Sequence, residues 1–252
     1  MDAAVFRVHA EVERRHWWFA GRRRILRALL ERFVPPDPAH TIADIGCGVG
    51  ATAPAFRAGY RYVGFDPSPD AIGAARATYP GVEFRIGSAA EAAATLAGSS
   101  AALLNDVIEH VPDDRALLSQ VVEPLKAGAY LLVTVPAGME LWSPHDVALG
   151  HFRRYDTASF QAVWEGLPVE TCFLSHFNSR LYFPVRAVRA LTARLDRAAG
   201  PAGTDLAIPP APLNSALEAL FAGEATRLAR GIGKSGPVYR RGVSLISVLR
   251  RT

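Results

Sequence analysis

From Thr41 onward, short apolar runs alternate with Ala- and Leu-rich stretches of helical character, the pattern of a parallel sheet covered on both faces. The runs predict strands over 41–45, 62–65, 82–86, 101–105 and 130–135, with helices over 70–78 and 114–122 between them. A polar and aromatic loop over 136–155 follows the fifth run, then a helix over 157–165 with Thr157 as its N-cap. A sixth strand is expected over 169–174 and a seventh over 243–249. The alternation predicts a doubly wound α/β fold.

About sixty residues separate the last two strands, too many for a bare loop and therefore an insertion with structure of its own. Leu181, Val185, Val188, Leu191 and Leu195 recur three or four apart, while Arg186, Arg189, Arg194 and Arg197 take other faces, so the insertion opens with an amphipathic helix. A Gly- and Pro-rich stretch over 200–212 leads to a second helical pattern over 214–230. The apolar stripe suits core packing or a homodimer seam; it equally suits a substrate cap or a helix in peripheral contact with a membrane surface.

The chain has 252 residues, half of them hydrophobic and 21% charged, which fits one large globular domain and excludes a disordered chain. Arg7, Arg14, Arg15 and Arg22 to Arg24 interrupt every early apolar stretch, so no secretory signal forms. No apolar run approaches the roughly 18 residues that cross a bilayer, and a cytoplasmic location is the expectation. Cys47 and Cys172 lie far apart and read as free thiols. Residues 41–135 hold six basic and ten acidic side chains, so the net charge of +4 belongs to the flanks.

The segment Asp44-Ile45-Gly46-Cys47-Gly48-Val49-Gly50 closes the first strand and turns toward a helix. Glycines are needed where a backbone turns tightly against a ligand, and Gly46, Gly48 and Ala51 also satisfy the dinucleotide pattern G-x-G-x-x-A. Asp66 ends the second strand, where a carboxylate can accept from both hydroxyls of an adenosine ribose. Asp44 separates the cofactors. A carboxylate there would face a pyrophosphate in a dinucleotide, but suits S-adenosylmethionine (SAM), which carries a sulfonium, an ammonium and no phosphate.

In combination these residues, with Val63-Gly64-Phe65-Asp66-Pro67-Ser68, Asn105-Asp106-Val107-Ile108-Glu109-His110-Val111 and Leu125-Lys126-Ala127-Gly128, resemble the class I SAM-dependent methyltransferases. The resemblance implies a Rossmann-like seven-stranded sheet of order 3-2-1-4-5-7-6 with the seventh strand antiparallel. It places SAM, and the product S-adenosylhomocysteine, across the ends of strands one, two and four, against Asp44, Gly46, Cys47, Gly48, Asp66, Pro67, Ala89, Asn105 and Asp106. Gly87-Ser88-Ala89 departs from the family's Gly-Asp-Ala, leaving Ser88 to offer a hydroxyl to adenine. The chain divides accordingly into an N-terminal helical lid (1–40), a SAM-binding core (41–179), a helical cap or oligomer interface (180–241) and a last core strand (242–252).

Glu13 to Phe19 with Gly21 to Arg24, and Gly150-His151-Phe152-Arg153-Arg154-Tyr155, resemble a narrower bacterial subgroup. Methyl transfer needs a base only when the acceptor must lose a proton. The candidates are His145 and His151, with Tyr155 as a further substrate contact; in the structural alternative one histidine caps a turn or pairs with Asp146 to hold the loop. Trp18 could cover SAM from the N-terminal helix, or simply dock that helix. Asp106-x-x-Glu109-His110 has the outline of a metal motif in coenzyme-Q and small-RNA O-methyltransferases, but Glu-His-Val here also occurs in metal-free relatives, and no metal is expected. No Asn/Asp-Pro-Pro-Tyr signature marks a nucleic-acid enzyme. The expected function is methyl transfer to an O or N atom of a small molecule; a SAM-binding regulatory module without turnover is the alternative, and a nucleic-acid acceptor is disfavoured.

Overall fold

A computed structural model describes residues 10–194 and 207–252. Seven strands form one sheet: β1 (Thr41–Ile45), β2 (Arg61–Asp66), β3 (Glu83–Ile86), β4 (Ala101–Asn105), β5 (Tyr130–Pro136), β6 (Val169–Phe177) and β7 (Ser244–Arg251). Their order is β3-β2-β1-β4-β5-β7-β6, with β7 antiparallel to both neighbours. Central strands of such a sheet are buried on both faces, and alternate residues divide between two cores. Ile42 joins Leu29, Phe56 and Ile246 in one layer; Ala43 joins Leu96, Leu118 and Leu249 in the other.

The helices are α1 (Trp17–Leu30), α2 (Ala53–Phe56), α3 (Pro69–Thr78), α4 (Ala93–Gly98), α5 (Asp114–Val122), α6 (Pro144–Leu149), α7 (Thr157–Ala162), α8 (Tyr182–Arg194), α9 (Ala211–Ala222) and α10 (Ala225–Gly231). Three local expectations change. The N-cap of α7 is Asp156, not Thr157, because its carboxylate accepts from Ser159 N at 2.7 Å in a capping box. β6 runs three residues past Leu174, with a bulge between Thr171 and Phe173 that keeps its later residues in register with β7. The helix expected over 214–230 is two, interrupted at Gly223 and Glu224. There the buried Glu224 carboxylate accepts from Ser179 N and Arg180 N, both at 2.8 Å, and fastens the break to the end of β6. Leu195, Arg197 and residues 200–206 of the Gly- and Pro-rich stretch lie outside the described residues.

The N-terminal helix and the insertion, separate in sequence, form one cap. Asn214 on α9 accepts from Trp17 N at 3.0 Å and donates through Nδ2 to Arg15 O at 2.9 Å. A Cβ on Gly21 would stand 2.5 Å from the Phe221 ring, so only glycine lets α1 and α9 approach this closely.

Candidate active site

The glycine loop leaves β1 with Gly46, Gly48 and Gly50 all at positive φ, a region that costs other residues. Gly46 N and Cys47 N donate to Phe65 O at 2.8 and 2.9 Å, stitching the loop to β2. A Cβ on Gly46 would meet the Val107 side chain at 2.7 Å, whereas one on Gly48 would meet nothing within 4 Å, so Gly48 presents bare backbone to open space. Asp66 supports the loop from β2. Its Oδ2 accepts from Gly48 N and its Oδ1 from Ser68 N, each at 2.9 Å, and each oxygen keeps a lone pair. Beneath lies Asp44, fully buried and accepting from the Tyr62 hydroxyl; burial pushes its carboxyl up to about 7.

A cavity of about 450 Å³ runs from this loop to the segment after β5, beneath α1 and α8. Of the expected cofactor residues, Asp44, Gly46, Cys47, Gly48, Asn105, Asp106 and Trp18 line it; so do His145 and His151. Asp66, Pro67, Ser88 and Ala89 do not. They sit at the ends of β2 and β3, where Ser88 N is taken by the Glu91 carboxylate at 2.7 Å and Ala89 is buried in the core. Tyr155 is a correction: its ring packs in the core beside Phe160 and its hydroxyl donates to Asp114 at 2.8 Å, away from the cavity. Cys47 lines the wall as a neutral thiol, its ionisation pushed up by burial.

Two polar groups at the end of β4 are conspicuous. Asn105 has neither side-chain atom bonded, and Glu109 has both carboxylate oxygens buried without a partner. Such groups are costly unless a ligand completes them. Burial, with Asp106 adding repulsion, raises the Glu109 carboxyl well above its ordinary value, which favours its neutral form. Asp106 itself, held at positive φ, pairs with Arg22 of α1, whose guanidinium also lies over Trp18 at 4.5 Å from the ring centroid. That pairing removes Asp106 from the metal motif considered in the sequence. His151 takes its place: Glu109, His110 and His151 offer ligand atoms within 4.8 Å of one another.

The residue that organises the acceptor side is Asp146, which the sequence offered only as a partner that could hold one histidine in place, a pairing the structure assigns to His151. It is fully buried at N3 of α6 and receives Ser143 N at 3.0 Å, His151 Nδ1 at 3.0 Å and Arg154 Nη1 at 2.7 Å, with Arg189 Nη1 at 3.5 Å. Burial alone would raise its carboxyl; the bond from His151 and the charges of Arg154 and Arg189 outweigh it and hold the carboxyl far below the usual range. Arg154 in turn donates to Ala137 O, Gly138 O and Val243 O, tying the loop after β5 to β7. An ionised carboxylate only accepts, so Nδ1 of His151 carries the ring proton and Nε2 is the basic nitrogen. A second sequence signal for this hub, beside the histidine pairing, is Ser143-x-x-Asp146, a capping-box spacing.

Residues 18–181 match the family described as methyltransferase domain. Trans-aconitate 2-methyltransferase of Azoarcus sp. is 33% identical over 118 residues, 46% of each chain, and an uncharacterized methyltransferase of Mycobacterium bovis is 30% identical over 120 residues, 46% of this chain and 47% of that one. The chain thus spans about half the length of the curated relatives it matches. A SAM-dependent methyltransferase structure from Archaeoglobus fulgidus shares the fold at a TM-score of 0.55 and 16% identity, covering 90% of this chain and 94% of that one. With its glycine loop, acidic β2 terminus and antiparallel β7, the chain belongs to the methyltransferase-domain family and carries it on the class I sheet.

Proposed function

We propose that this chain moves the methyl group of SAM to an oxygen or nitrogen of a small acceptor held between the loop after β5 and the cap. The observation that carries the reading is one cavity joining the glycine loop to His151, whose Nδ1 is fixed by a buried carboxylate. The residues fit SAM. Gly48 leaves room for close approach, Asn105 has free donors and acceptors, Asp66 keeps lone pairs for ribose hydroxyls, and Arg22 supplies a cation for the amino-acid carboxylate. When bound, SAM supplies a methyl group activated by its positive sulfur.

The chain's residues then have to align the acceptor and exclude water. The cap closes the cavity from one side, and Trp18 with Arg22 fills its upper wall. His151 accepts the acceptor's proton at Nε2 while Asp146 stabilises the imidazolium through Nδ1. Neutral Glu109 donates to the acceptor rather than competing for that proton. His151→Ala should lower kcat at least a hundredfold, a loss typical of a missing general base, with SAM affinity within about tenfold. The assay is S-adenosylhomocysteine formation with a panel of phenol, alcohol, carboxylate and amine acceptors. Unchanged turnover in that variant would reassign the base.

The unpartnered Glu109 favours a second reading, in which Glu109, His110 and His151 hold a divalent cation that binds acceptor oxygens. Metal analysis of the purified protein and of His110→Ala separates the two. A stoichiometric ion lost in the variant supports the cation, and an ion-free active enzyme supports His151 as base.

A further inference from the structure

Helix α8 turns the wrong face outward for an ordinary surface helix. Arg189 and Thr192 are buried on its inner side, where Arg189 donates to Leu141 O at 3.0 Å. Its outer side presents Phe183, Pro184, Ala187, Val188, Ala190 and Leu191, which at about 100° per residue span roughly 160° of the helix. Phe183, Val188 and Leu191 are 63%, 49% and 58% exposed. Beside them the turn before α6, which packs against α8, exposes Met139 at 57%. Val188 also lines the cavity, so this apolar face borders the cavity mouth. Exposed apolar side chains gathered on one helix face mark an interaction surface.

We propose that this face docks on an anionic lipid bilayer, and, resting on the methyl-transfer reading above, that an amphiphilic acceptor enters the cavity from that surface. The occupant follows from charge. Exposed Arg186 borders the apolar arc, exposed Arg194 lies within it at its C-terminal end, and α8 contains no acidic residue, the composition of a helix lying at a negatively charged interface; the exposed acid beside it is Glu140, next to Met139. An isologous dimer across this face would bring the arginines of both copies into one interface to which α8 adds no acidic residue, a like-charge excess that opposes self-association.

The test is sedimentation of the full chain with vesicles of phosphatidylcholine alone, or of equal parts phosphatidylcholine and phosphatidylglycerol, without any acceptor. The chain is expected to bind the anionic vesicles roughly tenfold more tightly than the neutral ones, and to be released by salt. Phe183→Glu and Leu191→Glu, both outside the cavity wall, should each weaken binding about tenfold, with SAM affinity by calorimetry unchanged. Equal affinity for both vesicles, or anionic binding that neither variant weakens, overturns the proposal. So does a dimer in sedimentation equilibrium that Leu191→Glu dissociates, which would assign the face to a second copy. Because partitioning is read without turnover, loss of the methyl-transfer reading would leave vesicle binding intact, and loss of vesicle binding would leave SAM binding intact.

Discussion

Replacing Asp146 with Asn tests the centre of the acceptor side. The substitution keeps the shape and one acceptor oxygen but removes the charge that faces His151, Arg154 and Arg189, and an amide NH₂ must then point at a donor. Arg154 is itself buried, so its charge would be left uncompensated. Breaking a buried pair in this way costs about 3 to 5 kcal/mol, and a domain of this size loses about 2 to 4 °C per kcal/mol, so the melting temperature should fall by roughly 6 to 20 °C at pH 7.5. The folded carboxyl lies below its unfolded value. Its contribution is therefore complete above the unfolded pKa and is lost as pH falls, so the gap between wild type and variant should narrow below about pH 4. Calorimetry across pH provides both readings. A variant within about 2 °C of wild type, or a gap independent of pH, would show that the cluster stores no such energy and that Asp146 only caps α6.

Asp44→Asn should have the opposite pH signature: the folded carboxyl is raised, so its stabilising effect is present below about pH 4 and lost as pH rises through about 7, and the variant should gain on wild type over that interval in thermal melts. Binding a cationic cofactor favours the ionised form, so SAM binding near pH 6 should release a proton, measurable by calorimetry in buffers of different ionisation enthalpy. Gly48→Ala should weaken SAM binding while costing only the roughly 1 to 2 kcal/mol of its left-handed backbone, since its Cβ meets no protein atom; equal losses of affinity in Cys47→Ser would point instead to the thiol. Tyr155→Phe should cost about 1 kcal/mol by removing the bond to Asp114 and leave turnover unchanged; a large fall in kcat would return Tyr155 to the site.

Strand positions and the glycine loop were legible in the sequence because each depends on local pattern: short apolar runs, helical stretches between them, and glycines where φ turns positive; the strand order followed only from the family resemblance. Asp44 and Asp66 could be read because they sit at fixed distances from those elements. What the sequence could not supply were contacts between segments far apart. The union of α1 with α9 rests on Asn214 and on Gly21 against Phe221, about two hundred residues distant. The pairing of Arg22 with Asp106, the burial of Asp146, and the arrival of His151 beside Glu109 and His110 are likewise products of folding. The amphipathic spacing of α8 was visible, but not which side would face water. Periodicity fixes only the relative direction of side chains; tertiary packing split the stripe, turning Leu181 and Val185 inward with Arg189, which reaches Leu141 and Asp146, and leaving Val188 and Leu191 facing out beside Arg186 and Arg194.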